Sequence, residues 1–216
     1  MLYTTSRLAG GELVQDPDQY TYFVAWATRL ISQLDSADQR AKAMAEGLTP
    51  LHLNWKPSPG SWSLGQCLEH LRAANEVMVP AIKASLAGHP PHAVEEITPG
   101  WFGRWFLRNY IEPSPGSKRA RAPGKIAPAS QVDPNILDRF LTSNQAARDL
   151  VRRASGYDVN RIRYRNPFIP VLRFTAGTGL LILTKHQDRH LLQAERVKQA
   201  ADFPGAERNE IQRITS

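Results

Sequence analysis

An all-α fold, arranged as a four-helix bundle, is what the sequence predicts, and three observations carry that prediction. Apolar residues recur at helical spacing in four separate stretches, helix-start signals stand at Ser63 and at Asp133-Pro134, and no stretch shows a convincing strand alternation. Four long amphipathic helices bury their stripes most economically against one another.

Tyr20, Phe23, Val24, Ala27, Leu30, Ile31 and Leu34 mark the first helix, expected from about Asp18 into the Ala41–Glu46 region and ending near Gly47. Pro50, Pro57 and Pro59 then fix backbone angles and remove donors, so Leu48–Gly60 reads as a loop. Ser63 followed by Gln66 is a capping-box pair, which starts a second helix near Leu64. Its stripe is Cys67, Leu68, Leu71, Ala74, Met78 and Ile82; it ends about Gly88, and Pro80 is expected to kink it.

Residues 88–133 form a connection too long for a plain turn. Within it Trp101, Phe102, Trp105 and Phe106 fall at i, i+1, i+4 and i+5, which predicts a short helix carrying four aromatics on one side, buried against its own bundle or a second subunit. Asp133-Pro134 supplies an N-cap acceptor and a proline at the first helical position. The third helix follows with the stripe Leu137, Phe140, Leu141, Asn144, Ala147 and Val151, and Gly156 is expected to close it in a left-handed conformation. The fourth runs from Gly179 to about Gln199 and is stopped by Phe203-Pro204-Gly205; Ala206–Ser216 reads as a frayed tail or a short surface helix. The whole of 1–216 is read as one domain, its core at about 18–200, and the long connection allows the second and third helices to run parallel.

With 42% apolar and 22% charged residues the chain lies near the globular average, away from disorder. The longest apolar-rich window, Gly177–Thr184, is far shorter than the roughly 20 residues of a bilayer span, so no membrane partner and a cytoplasmic location are expected. The net charge of +7 raises the question of nucleic acid. The basic residues gather in connectors, among them Lys118, Arg119, Arg121 and Lys125, without a nucleic-acid motif, so solvated loop charge is the reading and no nucleic acid is expected. The single cysteine, Cys67, excludes a disulfide framework and a thiolate-cluster zinc site, leaving His, Asp or Glu to hold any metal.

Histidine provides the candidate site. On the fourth helix positions 179, 183, 186, 190, 194 and 197 share a face, so His186 and His190 point where a bundle wants apolar side chains. Buried imidazoles need partners, and i, i+4 spacing lets two converge on one ion or hydrogen-bond to core carbonyls. His70, beside the stripe of the second helix, offers a third ligand. Three nitrogens plus an open position is the pattern of a catalytic metal site. His52, His89 and His92 lie in proline-bounded loops and read as surface histidines, and Cys67 as a small core hydrophobe. Gln66 and Gln193 are candidates for orienting water or substrate and Trp62 for lining the mouth, with capping and packing as their alternative roles.

Two motifs then resemble a known family. Pro59-Gly60-Ser61-Trp62-Ser63-Leu64 leading to Leu68-Glu69-His70-Leu71, and the run from Lys185 to Val197 with its H-x-x-R-H-x-x-Q-x-x-R-V pattern, resemble helix two and the last helix of the DinB/YfiT-like superfamily. Asn166-Pro167-Phe168 and the Thr-rich lead into the last helix also fit, and the resemblance covers about Tyr20 to Gln199. It implies a four-helix bundle with a divalent metal ion, zinc or nickel, on His70, His186 and His190, and commonly a homodimer. It also implies a metal-dependent enzyme, a hydrolase or a thiol-dependent transferase, acting on a small molecule with a low-molecular-weight thiol among the candidate co-substrates. The alternative is a non-catalytic stress-related or ligand-binding protein on the same scaffold. The 88–133 connection departs from the family pattern, as a lid, a pocket wall, a cover for a partner subunit, or simple packing over the side of the bundle.

Overall fold

The computed structural model describes residues 12–16, 19–112 and 122–204, the first two stretches up to Phe23 as backbone only. Strands β1 (Glu12–Asp16) and β2 (Gln19–Phe23) pair antiparallel, Glu12 opposite Phe23 and Asp16 opposite Gln19. The helix expected from Asp18 therefore begins later: Tyr20-Thr21-Tyr22-Phe23 is a run of strand formers that pairs with its neighbour instead of joining a helix. Helix α1 spans Ala25–Ala45 and buries Trp26, Ala27, Leu30, Leu34, Ala37, Ala41 and Met44; Gly47, at φ 70°, ends it in the left-handed region.

The proline-bounded segment contains a short helix, α2 (Pro50–Asn54), where a loop was expected. Thr49 caps it, and the N3 side chain answering the cap is His52, a role that leaves this histidine structural. Helix α3 (Leu64–Ser85) starts on the capping box of Ser63 and Gln66, as its sequence dictates. It runs through Pro80, which lies exposed on the helix.

The connection carries helix α4 (Trp101–Phe106), a π-helical turn (Leu107–Ile111) and a 3₁₀ turn (Gly124–Ile126). Its first part is tied down by the Trp26 indole donating to the Val94 carbonyl at 2.9 Å. The four aromatics do not share one environment. Phe102 and Phe106 pack against Phe174, whereas Trp101 is 76% exposed and Trp105 44%, because i, i+4 pairs separate the two tryptophans from the two phenylalanines.

Helix α5 (Ile136–Ala154) begins two residues after the expected start. Asp133 does accept a backbone N–H, that of Asn135 at 2.8 Å, but as an Asx turn ahead of the helix, with Asn135 at the cap position. Gly156 is not left-handed; Ser155 ends the helix in right-handed geometry. Strands β3 (Arg163–Arg165) and β4 (Arg173–Thr175) form a second antiparallel pair that buries Tyr164 and Phe174. Helix α6 (Ala176–Lys198) follows, capped by Thr175. The expected tail after Pro204 lies outside the described residues.

α1, α3, α5 and α6 pack as the bundle. Asn75 bonds Ser143 and Asn144 while Gly65 lies against Val132, so α3 and α5 run parallel across the long connection. Ile82 touches Gly179 and His70 reaches His186, so α3 and α6 run antiparallel. Of the expected core positions, Phe140, Leu183 and Ala194 are fully enclosed, while Leu141 is partly covered. A buried amide network crosses the centre: Asn144 donates to Asp38 and Gln187, and Gln187 and Asn75 donate back to Asn144. Among the described residues no helix is long and apolar enough to cross a membrane.

Candidate metal centre

Antiparallel packing of α3 on α6 brings His70 level with His186 and His190, and the three imidazoles meet as the stripes predict. One ligand atom from each lies within 4.8 Å of the others. Nε2 of His70 and Nε2 of His186 are 3.1 Å apart, and the ring centroids are separated by 4.5 to 4.9 Å.

Hydrogen bonds outside the cluster set the tautomers. His70 Nδ1 lies 2.7 Å from the Ile126 carbonyl, which can only accept, so the proton sits on Nδ1 and the Nε2 lone pair faces inward. His190 Nδ1 likewise donates to Gln193 Oε1 at 3.1 Å. A carbonyl or amide oxygen behind a ring fixes its orientation and raises its basicity as a ligand. Burial lowers all three histidines: His190 to about 3, His70 below its usual value against the upward pull of its carbonyl bond, and His186 well below, since a proton on it would also be repelled by Arg189 and by any proton on the two other rings. The rings are thus neutral at ordinary pH, the form in which imidazole ligates.

The lone pairs of His70 and His190 opposite these bonds are open to an electrophile, either a proton on His186 Nε2, 3.1 Å from His70 Nε2, or a metal ion that all three rings share. Two nitrogens at about 2.0–2.1 Å from a tetrahedral ion are about 3.4 Å apart, close to the separation found for His70 and His186. The donor set therefore fits a divalent ion of the imidazole-binding kind.

The remaining expectations divide. Trp62 does border the cluster, its ring 5.5 Å from His190 in a stacked pose and 4.8 Å from His70. Gln66 is spent on the cap and on the Ala129 carbonyl at 2.6 Å, and Gln193 accepts from His190 through Oε1 and also lines the cleft. Cys67 is buried with its thiol pushed up to about 12 by desolvation, the state of an inert core residue. His52 pairs with its own helix cap, and His89 and His92 are exposed.

The connection contributes what residue types could not announce. The Ile126 carbonyl is backbone chemistry, and Phe102, Trp105, Phe106 and Tyr110 form one wall of a cleft of about 1520 Å³ that opens from the histidines. Arg189, between the two α6 histidines, donates to the Tyr110 carbonyl at 3.3 Å and so ties that wall to α6.

Comparison with curated proteins and with solved structures gives no significant match. The family model described as the DinB superfamily matches residues 33–194, most of the chain and all three histidines. The parallel and antiparallel pairing of the four helices and the convergence of His70, His186 and His190 agree with that match, and the chain belongs to the DinB superfamily.

Proposed function

We propose that the chain is a single-domain, metal-dependent enzyme, a hydrolase or a thiol-dependent transferase acting on a small molecule, with His70, His186 and His190 as the ligands of one zinc or nickel ion. The observation that carries the reading is the convergence of three imidazoles, two of them fixed in the ligating tautomer by a carbonyl or amide oxygen behind the ring, beside a large cleft. A divalent ion held there supplies Lewis acidity toward water, a thiol or a polarised carbonyl. The chain's own residues do the rest. Ile126 and Gln193 hold two rings in the ligating tautomer, Trp62 covers the cluster on one side, and the aromatic wall excludes water on the other.

A second reading, a non-catalytic binding protein on the same scaffold, is favoured by one specific observation: among the described residues lining the cleft none is an Asp or Glu, so none of these offers a carboxylate as general acid or base. Ester, lactam and thiol-transfer substrates tested on metal-loaded protein separate the two. Metal analysis of untagged protein tests the ligand set directly. One equivalent of zinc or nickel is expected, falling to background in His186→Ala and in His190→Ala while the helical circular-dichroism signal stays; unchanged metal content in both variants would refute the assignment. A homodimer and a cytoplasmic location belong to the same proposal.

A further inference from the structure

Helix α5 lends the histidine cluster no ligand, yet one of its residues bonds to both helices that do. Asn144 stands fully enclosed on the apolar stripe of α5, a position that a bundle ordinarily fills with an apolar side chain. Its oxygen accepts from Gln187 Nε2 of α6 at 2.6 Å and from Asn75 Nδ2 of α3 at 2.8 Å. Its nitrogen donates to Gln187 Oε1 at 3.0 Å and to Asp38 Oδ1 of α1 at 2.7 Å. Two acceptor positions and two N–H groups are all that an asparagine side chain offers, so the amide is saturated.

The partners of Asn144 stand beside the ligands. Gln187 directly follows His186, and consecutive side chains on a helix diverge by about 100°, so Gln187 is buried in the bundle while His186 borders the cleft. The reciprocal amide pair of Gln187 with Asn144 therefore fixes both the rotation of α6 about its axis and its height against α5. Asn75, little more than one turn beyond His70, ties α3 to the same amide. A slip by one residue would move a ligand helix by about 1.5 Å and turn it by about 100°, against a tolerance of about 0.2 Å in a metal–nitrogen distance. Apolar contacts are not directional and oppose such a slip weakly. A buried amide opposes it strongly, because in the slipped register its donors and acceptors are left unpaired.

We infer that Asn144 is a positioning residue for the histidine cluster, the common reference that aligns α3 and α6 so that His70 meets His186 and His190. This rests on the reading of the cluster as a metal centre. It goes beyond that reading in assigning the geometry of the site to a helix that supplies no ligand.

Two double variants of the full chain test it. Asn144→Ala with Gln187→Leu removes the reciprocal pair at nearly constant combined volume, and leaves Asn75 its bond to Ser143 and Asp38 its pair with Arg148. Asn144→Gln with Gln187→Asn exchanges the two amides and keeps a pair. Zinc affinity is measured by competition with a chromophoric chelator, and stability by urea unfolding. Electron–electron resonance on metal-free protein gives the α3–α6 distance between nitroxides on Lys83→Cys and Arg196→Cys, both at exposed positions, with the buried Cys67 unlabelled. The Ala/Leu pair should bind zinc at least about tenfold more weakly than wild type and broaden or shift the distance distribution. Its urea midpoint should hold or rise, since apolar replacement of a buried polar network is commonly neutral or stabilising. The exchanged pair should return zinc affinity to within about threefold of wild type. An Ala/Leu pair that binds zinc within about threefold of wild type, loses affinity only in step with its urea midpoint, or keeps the wild-type distance distribution would overturn the inference. Wild-type protein that takes up no zinc defeats the metal reading alone, because the nitroxide distances need no metal and still decide whether Asn144 aligns the helices.

Discussion

His190 titrates near 3 rather than near 6.5 because it has left water and faces His70 and Arg189, and that displacement makes folding sensitive to acid. In the unfolded chain an imidazole takes up a proton below about 6.5, while His190 in the folded chain does so only near 3. Between those values the unfolded state binds more protons, so stability rises with pH and is lost as pH falls from about 6.5 toward 3. His70 and His186 shift in the same direction and add to the effect. For metal-free protein the loss due to His190 is expected to stay below about 1.4 kcal/mol per pH unit. Urea midpoints between pH 7 and pH 5 measure it, and His190→Gln should flatten the slope; a pH-independent midpoint would contradict the burial of these rings. At this scale the site was legible in the sequence: histidines on apolar stripes, two of them at i, i+4, announce an inward cluster. The Ile126 carbonyl was not legible, because every residue carries a carbonyl and only the course of the chain decides which one arrives.

Among the elements, two close approaches hold α3 and α6 where the histidines need them. Gly65 lies against α2: a Cβ there would come within 2.7 Å of the Leu53 carbonyl oxygen and 2.5 Å of Val132. Backbone cannot step aside as a flexible side chain can, so Gly65→Ala should cost about 1–3 kcal/mol of overpacking strain, read as a drop in thermal midpoint. On α6 Leu183 is 3% exposed one turn before His186. Leu183→Ala should destabilise by about 2–5 kcal/mol through lost burial and the cavity left behind, measured by denaturant unfolding. A cost below about 1 kcal/mol would mean that α6 is not packed as described. The four long helices and α4 were readable from periodicity, whereas α2, little more than one turn among prolines, is too short to show a period and was read as a loop; boundaries were readable where capping chemistry is local, as at Ser63 and Gln66. The start of α1 was misread because Tyr20 and Phe23 satisfy a helical spacing and a strand pairing equally well. Asp133 was misread because an Asx turn and an N-cap use the same side-chain acceptor.

At the scale of the whole molecule the connection between α3 and α5 is the decisive segment. It lets those helices run parallel, supplies the carbonyl behind His70 and walls the cleft. Its outer face leaves Trp101 76% exposed, with Val171 at 87% elsewhere on the surface. A bare indole of this kind is a natural contact for a second copy of the chain, and the proposed homodimer is tested there. Trp101→Ser combined with Trp105→Ser should shift the sedimentation profile of a dimeric protein toward monomer; an unchanged profile would exclude this face from the interface.

The sequence by itself determined the bundle, because four apolar stripes have few other ways to leave water. It also determined which histidines are inward, because helical periodicity sorts side chains by face without knowledge of the partner helix. The tertiary structure decided what periodicity cannot carry. The antiparallel match of α3 with α6 sets the 3.1 Å approach of His70 to His186. The return of Ile126 and of the α4 aromatics to the site follows from how a long connection packs, and packing depends on contacts between residues far apart in the chain that leave no local pattern in either.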